Sequence, residues 1–242
     1  GGSNHAVNVI TGVRLMLDCK FDDVTCGGYM WDIYGGGMVG PVPDAPQSPS
    51  SGLINRLAKN ASNGGAQLVW PSREHKEQHL PLGEIYVGFW WRMNSEFAGM
   101  CNNGNKLIFI NSDGSFGGNF TNGFFGVTGQ PDVFPWSLVW HTQFLGAESN
   151  DHMCPGEGCR SNKKEVPIYR ERWYRIELYM KARTCQTCRN GTVRWWVNGE
   201  LAGEYTAQNY GQNILNSFQF NHTWDGSYCP SWNVRDCSRS WE

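Results

Sequence analysis

RWYRIELYMKARTCQTCRNGTVRWWVNGELAGEY, residues 172–205, alternates along two arms. In the first arm Trp173, Arg175, Glu177, Tyr179 and Lys181 share one register, and Tyr174, Ile176, Leu178 and Met180 the other. The second arm sets Thr192, Arg194, Trp196 and Asn198 against Val193, Trp195 and Val197. A period of two carried by β-branched and aromatic residues marks a half-buried strand, because successive side chains leave opposite sides of the pleat. Asn198-Gly199 then supplies the positive φ angles that a tight turn requires. Each arm therefore offers an apolar side to a second sheet and a wet side of cations, a carboxylate, a phenol and an indole. That wet side reads either as an ordinary solvated sheet surface or as a sugar platform, with aromatic rings under pyranoses and planar polar groups at their hydroxyls.

Outward from this stretch, composition agrees with one all-β domain over residues 1–242, residues 1–14 being a candidate extending N-terminal strand. The 242 residues include 30 Gly and 11 Pro, with 14% aromatic and only 17% charged residues, as many short strands joined by tight turns would require. The one helical window, residues 51–60, is spoiled at its start by Gly52. No apolar run approaches the ~20 residues needed to cross a bilayer, so no membrane span is expected. A net charge of −2 provides no field for nucleic acid or an anionic membrane. The opening GGSNHAVNV shows no signal peptide and reads as a chain whose leader is gone or as cloning-derived residues.

Cysteine usage points to a secreted or cell-surface setting. Cys19 with Cys26, Cys154 with Cys159, Cys185 with Cys188 and Cys229 with Cys237 are sequence neighbours, each bracketing a loop that a disulfide would restrain. Cys101 is left over and reads as a buried thiol or an intermolecular bridge. Cys154, Cys159, Cys185 and Cys188 also have spacings that a zinc site could use. Asn-x-Ser/Thr sequons at Asn60, Asn119, Asn190 and Asn221 favour the oxidising, glycosylated alternative.

Strand candidates recur along the chain: residues 7–21 with a bend at Gly12, 29–34, 66–70, 85–93, 106–111, 123–127, 136–145, the opening hairpin and 217–221. Residues 35–52, GGGMVGPVPDAPQSPSSG, read as an irregular connection. Ten to twelve short strands with two alternating faces predict a two-sheet antiparallel jelly-roll sandwich.

YVGFWWRMNSEFAG, NKLIFI, WYRIELYMK and NGTVRWWVNGELAGEYT together resemble the concanavalin A-like lectin/glucanase superfamily, in particular its LamG-like and polysaccharide-lyase-like bacterial jelly rolls. The resemblance covers residues 80–222 and implies fold more than activity, since lectins, hydrolases, lyases and adhesive modules share it. It also implies a closing strand after residues 218–224, where this sequence instead runs into CPSWNVRDC. A sandwich short of one strand would leave an open edge for strand addition from another copy, with residues 5–17 as donor.

Three chemistries can be weighed. Glycosidases need two facing carboxylates, and the Glu-x-Asp-x-x-Glu spacing of related glucanases is missing. Glu74 and Glu77 read as a solvated loop and Glu177 as an ion-pair partner. β-Elimination from a uronic acid needs a carboxylate neutraliser, a base and an acid. His141 and Gln143, two apart on one strand, with Arg92 and Tyr179, are the catalytic candidates. Passive glycan binding needs less: Trp90, Lys106, Arg175, Arg194 and Trp196 are the ligand-binding candidates, with Trp136, Trp140 and Trp224 as further stacking material, while Trp91 and Trp195 belong to the apolar register. No cofactor is required, although Asp22, Asp23, Asp113 and Asp225 offer oxygen ligands for calcium. The expected function is thus an extracellular carbohydrate-binding, lectin-like jelly roll, with a polysaccharide lyase and a strand-complemented fibre subunit as alternatives. All of these sugar readings expect His141, Gln143, Arg175 and Arg194 on one surface.

Overall fold

The computed structural model describes residues 14–32, 37–46, 51–55, 67–75, 82–97, 104–111, 121–129, 133–142, 159–185, 187–208 and 217–221. Thirteen strands form among them: β1 (Trp31–Asp32), β2 (Gly37–Gly40), β3 (Gly52–Asn55), β4 (Gln67–Trp70), β5 (Glu84–Trp91), β6 (Gly104–Asn111), β7 (Thr121–Thr128), β8 (Ser137–Thr142), β9 (Cys159–Arg160), β10 (Tyr174–Lys181), β11 (Gly191–Val197), β12 (Glu200–Gln208) and β13 (Ser217–Asn221). A seven-stranded sheet has the order β1-β4-β13-β6-β7-β8-β9, a four-stranded sheet the order β12-β11-β10-β5, and β2 with β3 makes a small third sheet. Every pairing is antiparallel. The crossing order, with β13 between β4 and β6, is that of a jelly roll rather than a meander.

The apolar registers read from the sequence become the inner faces. Buried and half-exposed positions alternate strictly along β10 and β11. Ile176, Leu178, Val193 and Trp195 meet Leu68, Ile108, Ile110, Phe125 and Trp140 of the seven-stranded sheet in one core. Edge contacts knit the layers: the Phe125 and Trp195 rings lie 5.7 Å apart, and those of Phe89 and Phe220 5.3 Å apart. Asn198 (φ 53°) and Gly199 (φ 82°) form the tight turn between β11 and β12, and the Asn198 side chain accepts the Arg175 backbone N–H at 2.9 Å. Gly203 is set by packing: the Trp195 ring lies so close that a Cβ there would overlap it.

Three local expectations are corrected. Residues 14–21 carry no strand, and residues 7–13 lie outside the described residues. Within residues 35–52 the glycine-rich Gly37–Gly40 is a strand, because Leu53 and Ile54 on β3 give it a partner opposite Val39 and Met38. The same β3 occupies the start of the weak helical window at residues 51–60, pairing having overridden a propensity already compromised by Gly52; among the described residues the regular helix is a single 3-10 turn at Arg73–His75.

Cys19–Cys26 and Cys185–Cys188 are disulfides, and Cys159 is also disulfide-bonded. Thiols so engaged are not zinc ligands, and the zinc alternative falls for Cys159, Cys185 and Cys188. Cys101, Cys154, Cys229 and Cys237 lie outside the described residues, as do residues 5–13 of the expected donor segment and the segment after Asn221. Among the described residues no helix is long and apolar enough to cross a membrane.

Candidate active face

Each sheet turns one register away from the core, and the two outer registers differ in chemistry. On the four-stranded sheet the register brings Trp90 opposite Arg175, Gly88 opposite Glu177, Tyr86 opposite Tyr179 and Glu84 opposite Lys181. On the other flank of β10, Glu177 faces Trp196 and Tyr179 faces Arg194, which in turn faces Glu204 on β12. The expected companions Trp90, Arg175, Tyr179, Arg194 and Trp196 thus share one face. Arg92 extends it just past β5, donating to Asp44 and lying 5.1 Å over the Trp173 ring.

That face pairs its own charges. Tyr86 donates its hydroxyl to Glu177, which also lies 3.8 Å from Arg175. Tyr179 donates to Glu84 at 2.6 Å, and the Arg194 guanidinium sits 5.8 Å over the Tyr179 ring. Arg194 donates to Glu204 at 2.5 Å, with Lys163 at 3.3 Å from the same carboxylate. Hydrogen bonds from Arg194 and then Lys163 hold the Glu204 carboxyl below its usual range. Burial, then the bond to Glu84, raises Tyr179 to about 12, and burial with Glu177 raises Tyr86 further still, so both phenols remain neutral donors. Glu177 is the ion-pair partner read from the sequence.

The outer register of the seven-stranded sheet is built differently. Gln219 on β13 lies between Val69 on β4 and Phe109 on β6; Phe109 lies opposite Phe124 on β7, and Phe124 opposite His141 on β8. An adjacent row runs Lys106, Gly126, Val139, Arg160 across β6 to β9. Lys106 and Phe109 are three apart and by simple alternation would face opposite ways. A β-bulge between Lys106 and Ile108 restores them to one register, with Leu107 and Ile108 both buried inward. The Lys106 ammonium lies 5.3 Å over the Phe109 ring. Burial pushes the Lys106 amine below its ordinary value. Position 141 follows the buried Trp140 and belongs to the alternate register of β8.

No Asp or Glu occupies this outer register on β4, β13, β6, β7, β8 or β9: the positions are Gln67, Val69, Ser217, Gln219, Asn221, Lys106, Phe109, Asn111, Phe124, Gly126, Thr128, Ser137, Val139, His141 and Arg160. The strand positions of this register bring amides, aromatic rings and cations, a chemistry that suits a polyanion, while Glu165 from the neighbouring loop accepts the Ser137 hydroxyl.

The single composite site expected from the sequence is therefore corrected. His141 and Lys106 are strand residues of the seven-stranded sheet, whereas Arg92, Tyr179, Arg175, Arg194, Trp90 and Trp196 belong to the four-stranded sheet, across the core. Gln143 lies outside the described residues, and so does Trp224. Trp136 and Trp140 are core residues, 1% and 0% exposed, and cannot stack on a ligand; their neighbours Phe134 and Phe125 explain the burial. Gln219 was missed altogether. Its signal was present in SFQFN, where it alternates with two phenylalanines that face the core. Among the described residues no group of three or more His, Cys, Asp or Glu could hold a metal ion. Asp23, one of the calcium candidates, has its carboxylate engaged by the Thr25 hydroxyl and backbone N–H, both at 2.6 Å. Asp113 and Asp225 lie outside the described residues.

No protein-family model matches the chain, and no curated protein is a significant match in sequence. Solved structures do match in fold. Alginate lyase Aly36B, as a mutant in complex with alginate trisaccharide, superposes with a TM-score of 0.59 at 14% identity, over 95% of this chain and 89% of that one. A second structure of the same lyase gives 0.57 at 16% identity, over 90% and 86%. Endo-β-1,4-glucuronan lyase from the fungus Trichoderma reesei gives 0.50 at 15% identity, over 86% and 83%. The chain thus shares the jelly-roll fold of these polysaccharide lyases, and the likeness rests on fold alone.

Proposed function

We propose that the protein is a secreted polysaccharide lyase that cleaves a uronic-acid polymer by β-elimination on the outer face of the seven-stranded sheet. One observation carries the reading: a face of cations, amides and aromatic rings with no strand-borne carboxylate, containing a lysine whose amine is lowered by burial. The fold neighbours, whose own substrates include alginate and glucuronan, support a lyase over a passive lectin. The disulfides at Cys19–Cys26 and Cys185–Cys188 support an oxidising, extracytoplasmic setting.

In this reading the unprotonated form of the Lys106 amine, which burial favours, takes the proton from C5 of the uronate. The electron pair left on C5 forms the C4–C5 double bond as the C4–O bond breaks, and the departing oxygen takes a proton from His141. The Gln219 amide donates to the substrate carboxylate and so stabilises the negative charge that builds during proton removal. A lysine suits the base because desolvation disfavours its charged form.

The test is incubation of the full chain with alginate and with glucuronan, following the ultraviolet absorbance of unsaturated uronate ends. Product from at least one polymer is expected, and Lys106→Met should lower kcat by roughly 10²–10⁴-fold, the usual worth of a positioned base. Absence of product from both, or a Lys106→Met variant of undiminished rate, would overturn the proposal.

A further inference from the structure

The outer face of the four-stranded sheet takes no part in the chemistry proposed above, yet it is more organised than a solvated surface needs to be. Tyr86 is 46% exposed on edge strand β5, and its ring centroid lies 6.2 Å from that of Trp196 on β11. Between them runs β10, where Glu177 takes the Tyr86 hydroxyl and so fixes the tilt of that ring. The cross-strand row beneath is Gly88, Glu177, Trp196, Leu201. Gly88 has no side chain because Arg175 occupies the space: a Cβ there would overlap its guanidinium. The result is a pair of neighbouring aromatic rings, that of Tyr86 tethered, with the Arg175 guanidinium over Gly88 beside them and carboxylates at their margins.

The charge pattern selects the occupant. Arg175 and Arg194 are each paired with a carboxylate, so neither is spare for an anionic sugar. Glu84, Glu177 and Glu204 on the same side would repel a polyuronate, but each carboxylate keeps acceptor capacity for a sugar hydroxyl. Two rings whose planes are inclined by 51°, with acceptors at their margins, fit a twisted chain of uncharged pyranoses in which successive sugars each lay a C–H face on one ring.

We propose that this face is a second, non-catalytic binding surface for an uncharged pyranose polymer, distinct from the face that would act on a uronate. It would hold the protein on a mixed matrix in which neutral and acidic polymers lie side by side.

Affinity electrophoresis in gels containing hydroxyethyl cellulose, galactomannan or alginate tests this. Retardation of the wild type is expected in at least one neutral gel, and its loss in Tyr86→Ala/Trp196→Ala. Rates on soluble alginate or glucuronan should be unchanged in that variant, which also reports that it has folded. Calorimetric titration of wild type with cellohexaose and mannohexaose covers the case of a variant that fails to fold, since binding of either supports the surface without mutation. Free migration in both neutral gels with no heat from either oligosaccharide would overturn the proposal, as would retardation that survives the double variant. Failure of retention with lyase activity intact would sink this surface alone; retention without any activity would sink the lyase reading instead.

Discussion

Lys106 is where residue chemistry weighs most. An amine serves as a base only when neutral, so activity should rise with pH through its folded pKa, which burial lowers from 10.5. The Arg replacement separates the two roles a cation could have here. Lys106→Arg keeps the charge that attracts a uronate but cannot be deprotonated. If Lys106 is the base, the Arg variant loses kcat as fully as Lys106→Met while retaining a KM near that of the wild type. An Arg variant of near-normal kcat would make the lysine an electrostatic clamp. Lys106 was a ligand-binding candidate in the sequence; the neighbours with which it shares a register were not legible there. NKLIFI reads as plain alternation, and only the bulge at Leu107 brings Lys106 and Phe109 to one side. A bulge is decided by the partner strand, so no local pattern announces it.

At the level of elements, the β5–β10 pair carries a pH-dependent contribution. Tyr179 donates to Glu84 across it and is raised from 10.0 to about 12 by burial and by that bond. A raised folded-state pKa means the native state holds the phenolic proton more tightly than the unfolded chain does. The stabilisation is therefore complete below about pH 10 and is lost as pH climbs from there towards 12. Tyr179→Phe should flatten the alkaline limb of a Tm-against-pH profile while changing little at neutral pH; an unchanged alkaline limb would dissociate the bond from stability. The β11–β12 pair depends on shape instead. Gly203→Ala sets a methyl group against the fully buried Trp195 ring and should cost about 1–3 kcal/mol, seen as a lower urea midpoint at unchanged slope. The hairpin faces were legible because each strand alternates without interruption and Asn-Gly dictates its turn. The two-residue strand Cys159–Arg160 was not, since pairing alone defines so short an element. The glycine-rich Gly37–Gly40 escaped for the same reason.

At the scale of the molecule, strand order decides which residues can act together. His141 and Arg175 both lie on well-formed strands, but β8 and β10 belong to different sheets. Sequence periodicity assigns each residue a side of its own strand and is silent on which sheet the strand joins. The consequence is a sandwich with two unlike outer faces, and salt should distinguish them. Under the lyase proposal, attraction between the cations of the register around Lys106 and a polyuronate would be largely long-range, and the screening length falls from about 10 Å at 0.1 M to about 3 Å at 1 M. KM for a uronic polymer should therefore climb several-fold as ionic strength rises across that range, with kcat nearly constant because the proton transfer occurs at a desolvated lysine. The face around Tyr86 and Trp196 has its charges paired within the sheet, and a neutral glycan brings none. Retention in neutral gels should then be insensitive to the same salt, or strengthen slightly as apolar stacking is favoured. Measured on one preparation, parallel loss of both interactions with salt would show that a single electrostatic surface serves both ligands, and the division of labour between the sheets would fail.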